Sequence, residues 1–174
     1  MNNRRSIQQA HERAYVRCFL KWFNRIYRCN FEVISEPNPP EAIICSTRTT
    51  RWVEVSTAFW NGDYARDLYS YATSGEEHKP VSPGPFKEMD KTFAKSFVKV
   101  IKKKLEKESY VQWRDLYGPG YLIVPIKHPW FNEQTIAFMK EAYGKCVIKN
   151  LGCFRSISIA FQARGEIKFS RWRV

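Results

Sequence analysis

A mixed αβ domain, with a central sheet flanked by helices and closed by a β-hairpin, is the fold class this sequence predicts. Three observations carry it. Apolar residues recur at helical spacing from Ser6 to Tyr27. Between Asn30 and Thr57, strand-length apolar runs alternate with turn residues, and near the C-terminus apolar and polar residues alternate on both sides of Ala163-Arg164-Gly165. A helix repeats every 3.6 residues and a strand every two, so the two periodicities identify different elements.

In the first helix, Ile7, His11, Ala14, Tyr15, Cys18, Phe19, Trp22, Phe23 and Ile26 form one stripe, with Arg5, Arg13, Arg17, Lys21 and Arg25 spread over the rest. Strands are expected at Asn30–Ile34, Glu41–Cys45 and Arg51–Thr57. The first two are separated by Glu36-Pro37-Asn38-Pro39-Pro40, the last two by a polar turn. A short helix follows around Tyr64–Tyr71. The stretch from Thr73 to Phe86, rich in Gly, Pro and charge, reads as a mobile loop or lid. A second long helix runs from Lys87 to about Ser109, and Gly120–Ile126 reads as a buried strand. Asn132 can cap the next helix, with Gly144 just past its end. Phe154–Gln162 and Glu166–Trp172 form the closing hairpin. With 44% hydrophobic residues in 174, the chain can bury a core without staples and fits one domain, 1–174.

Lys and Arg total 29 against 17 Asp and Glu, a net charge of +12. Such a balance favours an anionic partner, because bound phosphates release their counterions, and nucleic acid is the first expectation. The five cysteines form no CxxC pair and have no histidine at zinc-ligand spacing, which predicts a reducing compartment. No apolar signal core and no membrane-spanning stretch is evident, so a cytoplasmic protein without a membrane partner is expected. No GxSxG, P-loop or HExxH is present.

The chemistry concentrates in Pro40-Glu41-Ala42-Ile43-Ile44 and Arg51-Trp52-Val53-Glu54-Val55-Ser56. Glu54 sits between two valines, where a carboxylate is costly unless it meets a cation. Alternation puts Trp52, Glu54 and Ser56 on one face and Val53, Val55 and Thr57 on the other. A hairpin lets Glu41 and Glu54 converge, and two hard oxygen ligands suit Mg²⁺. The structural alternative is an exposed Glu41 and a Glu54 paired with an arginine.

A first helix, three strands carrying Pro-Glu and then Glu-Val-Ser, a helix and a further strand resemble the PD-(D/E)XK nuclease superfamily over roughly Ser6 to Ile126. The resemblance implies a restriction-endonuclease-like αβββαβ core and a nuclease dependent on Mg²⁺ or Mn²⁺, acting on DNA before RNA. It implies metal-ligand roles for Glu41, Glu54 and the backbone carbonyl of Val55, and a supporting role for Glu12 on the first helix. One position departs from the pattern, because the family's motif lysine is Ser56 here. Lys104, which follows Phe93, Phe97, Val100 and Ile101 on one helical face, resembles the relocated lysine of family variants. The alternative is that Lys102, Lys103, Lys104 and Lys107 form a solvated basic face. Phosphate contacts are expected from Arg13, Arg17, Lys103, Lys107, Arg171 and Arg173. Two other readings are a non-catalytic nucleic-acid-binding module on a decayed nuclease fold, favoured by the lost motif lysine, and a basic interaction subunit of a larger complex. A homodimer is compatible with any of them.

Overall fold

The computed structural model describes residues 3–82, 87–146, 148 and 150–173, with the side chains of residues 3 and 4 left aside. Its helices are α1 (Asn3–Tyr27), α2 (Gly62–Ala72), α3 (Met89–Leu105), α4 (Val111–Tyr117) and α5 (Glu133–Lys145). Its strands are β1 (Glu32–Ser35), β2 (Ala42–Cys45), β3 (Thr50–Val55), β4 (Ala58–Phe59), β5 (Gly120–Lys127), β6 (Phe154–Ala163) and β7 (Glu166–Arg171). They form a seven-stranded mixed sheet in the order β1-β2-β3-β5-β6-β7, with β4 also pairing with β5. The β3–β5 and β5–β6 pairs are parallel, whereas both ends of the sheet are antiparallel hairpins.

Helices cover both faces of this sheet. On one face Tyr15, Val16, Phe19 and Leu20 of α1 pack on Ala42, Ile44, Val53, Val55 and Ile123. On the other, Phe93, Phe97 and Ile101 of α3 and Met139 of α5 pack on Ile43, Trp52, Leu122 and Ile157. The alternation read from the sequence is therefore the partition between two cores, with Trp52 and Val53 buried on opposite sides. β5 is buried along nearly its whole length, as a central parallel strand must be.

A proline in a central strand needs a reason, since it cannot donate to the ladder. β3 pairs with Tyr121–Ile123 and β4 with Ile126–Lys127, so the neighbouring chain breaks at Ser56-Thr57. The Ser56 N–H donates to the Ile123 carbonyl, so Pro125, two residues on, faces that break, where no partner is lost.

Two expectations need correction. Gly144 lies inside α5, which ends at Lys145, while the Asn132 cap is present as a full capping box with Thr135. α3 stops at Leu105, and Glu108–Tyr117 forms a separate 3₁₀ turn and α4. Thr73–Ser82 has no helix or strand but is tied to α2. His78 Nε2 lies 2.6 Å from Asp67 Oδ1, and the Lys79 N–H donates to Ser70 Oγ at 2.9 Å. The rest of that predicted lid, residues 83–86, lies outside the described residues. No helix among the described residues is long and apolar enough to cross a membrane.

Candidate active site

The hairpin register sets the first two acids. Ala42 pairs with Val53, so one residue further out Glu41 stands opposite Glu54. Both belong to the face of Ile43 and Trp52, at the end of the sheet where β3 gives way to β4. α1 passes over this end from the other layer and brings Glu12, while the last turn of α3 brings Lys104. The four side chains line one cavity of about 360 Å³, together with Arg5, Gln8, Gln9, Asn38, Val55, Ser56, Tyr69 and Lys107.

Glu54 is 1% exposed, and a carboxylate so deep requires compensation. Lys104 supplies it, its Nζ donating to Glu54 Oε1 at 2.6 Å. The same ammonium donates to the Tyr110 hydroxyl at 3.2 Å. Tyr110 is fully buried and stacks on Trp52, with ring centroids 5.4 Å apart. Burial pushes the Tyr110 phenol up, and the nearby Glu54 and Glu41 charges push it further, so it stays protonated. Glu54 Oε2 is buried with no hydrogen-bond partner.

Glu41 and Glu12 behave as one unit. Burial, then the charges of Glu12 and Glu54, push Glu41 up to about 8, Lys104 opposing. Burial also raises Glu12, which accepts a hydrogen bond from Gln8 Nε2 at 2.9 Å. At neutral pH the two carboxyls in contact hold a proton between them, as like charges in a shared site do. Glu12, Glu41 and Glu54 thus gather around a single cation, the Lys104 ammonium. Among the described residues no group of three or more His, Cys, Asp or Glu side chains is placed to hold a metal ion. The hard oxygen donors that line the cavity are the carboxylates of Glu12, Glu41 and Glu54, with Val55 beside them.

The remaining predicted residues are more dispersed. Lys107 lines the cavity, its Nζ 4.9 Å from the Tyr110 ring centroid. Lys103 and Arg17 are exposed, and Arg13 pairs with Glu36 at 2.8 Å. Arg171 and Arg173 line a different cavity with Tyr143, Leu151 and Trp172, at the opposite edge of the sheet. Sequence reasoning missed Tyr110, Gln8 and Tyr69. Only Gln8 carried a signal, standing four residues before Glu12 on one helix. No family model, curated protein or solved structure matches this chain.

Proposed function

We propose that this chain is a divalent-metal-dependent nuclease on a restriction-endonuclease-like core, hydrolysing phosphodiester bonds of DNA before RNA. The observation that carries the reading is the Lys104 ammonium, 2.6 Å from buried Glu54 beside Ser56. It supplies the charge that the β3 motif lacks at position 56. Glu41, Glu54 and the Val55 carbonyl would hold Mg²⁺ or Mn²⁺. That ion, when bound, lowers the pKa of water and offsets charge on the phosphate. Lys104, 2.6 Å from Glu54, would orient the attacking water and offset developing negative charge. Tyr110 keeps the ammonium in place. Burial keeps Glu41 raised beside Glu12, so metal binding there would compete with a proton.

The test is a panel of labelled single-stranded DNA, duplex DNA and RNA with Mg²⁺ or Mn²⁺. Wild type should cleave at least one. Glu54→Gln and Lys104→Ala should each lose about a hundredfold or more in rate, the scale of removing an electrostatic stabiliser. A second reading, a non-catalytic nucleic-acid-binding module, is favoured by Ser56 standing where the motif lysine would be. Binding without cleavage of any substrate by wild type, with either metal, would leave that reading in place of the first.

A further inference from the structure

α1 carries a second pattern that the core does not use. Arg5, Gln9, Arg13, Arg17, Lys21 and Arg25 follow one another at intervals of four residues, and its five cations are all exposed. Four residues advance about 6 Å along a helix and about 40° around it, so the row spans about 30 Å. Rows of this kind run obliquely to the axis, at about 26°. The packing fixes where this one goes. Arg5 and Gln9 line the cavity that holds Glu12, Glu41, Glu54 and Lys104. Arg13 lies on the β1 side, paired with Glu36. Lys21 and Arg25 reach the opposite side and line a groove of about 600 Å³ between α1 and β7. Ala10 and Ala14, both exposed, flank the row and leave it unobstructed.

That groove is an independent observation. Its floor includes Trp22 and Phe169, half-buried and stacked with centroids 5.7 Å apart, and its rim includes Lys21, Arg25 and Lys168. Apolar aromatic floor and cationic rim suit an unpaired base attached to its phosphates. Glu166 also lines the groove, paired with Lys168 and close enough to feel the charges of Lys21 and Arg25. Arg17, Lys21 and Arg25 form no ion pair among the described residues.

We propose that the oblique cationic row of α1 is a track for one unpaired polynucleotide strand, running from the Glu54–Lys104 cavity over the helix to the Trp22–Phe169 groove. The inference rests on the nuclease reading for its destination, the cavity, but not for the binding itself. A single row of charges one helix wide follows one phosphate backbone, whereas a duplex presents two. An anionic membrane is disfavoured because the apolar side of α1 (Tyr15, Val16, Phe19 and Leu20) is already buried on the sheet.

The experiment is fluorescence anisotropy in EDTA with labelled DNA and RNA strands of about 15 nucleotides, near the upper site size of single-strand binders. The matching DNA duplex and anionic vesicles serve as competitors. The triple variant Arg17→Ala/Lys21→Ala/Arg25→Ala is compared with Lys95→Ala/Lys99→Ala/Lys140→Ala, which removes equal charge from exposed positions on α3 and α5 in the other layer. The α1 variant should bind single strands at least ten times more weakly. The slope of log affinity on log salt should fall by about 2, three contacts at about 0.7 each. The control should stay within twofold of wild type. Equal losses in both variants, tighter binding to duplex, or competition by vesicles as effective as by strand would each overturn the track. Because metal is absent, binding that survives in a protein that never cleaves would sink the nuclease reading alone. Cleavage with an unaffected α1 variant would sink the track alone.

Discussion

At the scale of single residues, the molecule turns on a buried charge and its partner. Glu54 and Lys104 come from positions fifty residues apart and meet at 2.6 Å. Removing one member of a buried pair leaves the other uncompensated. Lys104→Ala should therefore cost the metal-free protein about 3 kcal/mol or more. Mn²⁺ should return more stability to this variant than to wild type, because the cation then stands in for the ammonium. Urea midpoints with and without Mn²⁺ measure both effects, and equal gains would argue that no cation approaches Glu54. Glu41 makes a second prediction at this scale. Its folded pKa, about 8, lies above its ordinary 4.5, so the folded protein binds a proton that the unfolded chain has released. That contribution to stability is fully present below 4.5 and is lost as pH rises through about 8. Metal-free melting curves across this range should show the loss in wild type and a flatter profile in Glu41→Gln. Glu41 itself was legible, because an acid after proline at a strand start invites suspicion. Its pairing with Glu12 was not, because only the crossing of α1 over the sheet end creates it.

At the scale of elements, periodicity disclosed what was long and regular. The β2–β3 hairpin, the buried stripe of α3 and the closing β6–β7 hairpin all follow from patterns of two or about four residues. β4 has two residues and cannot alternate, so nothing in the sequence separated it from β3. The end of α3 was hidden for a different reason. No glycine or proline marks it, and Lys107 simply turns extended, at φ −80° and ψ 110°. Tyr110 was lost with it, although it holds Lys104. A glycine sets its position indirectly. A Cβ on Gly120 would lie 2.3 Å from the Trp52 ring, and Trp52 stacks on Tyr110. Gly120→Ala should therefore displace Trp52, cost about 1–3 kcal/mol as overpacking does, and loosen Lys104. Its mark should be a cleavage rate reduced well below wild type at a temperature where circular dichroism still reports a folded protein. Asn132→Ala, which removes a capping box far from the acids, should cost about 1 kcal/mol with the rate unchanged. The contrast separates loss of stability from loss of geometry.

At the scale of the whole molecule, charge and thiols speak most plainly. The +12 balance was legible at once, but composition cannot say how the charge is laid out. Part of it forms the α1 row, part lies on α3 and α5, and Arg171 and Arg173 stand at the far edge of the sheet. Arg171→Ala/Arg173→Ala should thus leave the cleavage rate at saturating substrate unchanged, which a single-turnover assay would check. All five cysteines are free thiols. Melting temperature should be the same with and without reductant in freshly prepared protein. A fall of several degrees on adding reductant would reveal a disulfide that this arrangement has no place for.

The division of the site between layers also bears on synthesis. Glu12, Glu41 and Glu54 all precede residue 60, whereas Lys104 arrives later, on a helix that buries itself against α5 and β6. A ribosome that has released only the first strands has made every acid of the site and none of its ammonium. A chain truncated between residues 54 and 104 would likewise carry three carboxylates without the ammonium that compensates them. On the proposed nuclease reading, cleavage would then wait until both layers have closed on the sheet, so completion of folding would itself be the licence to cut.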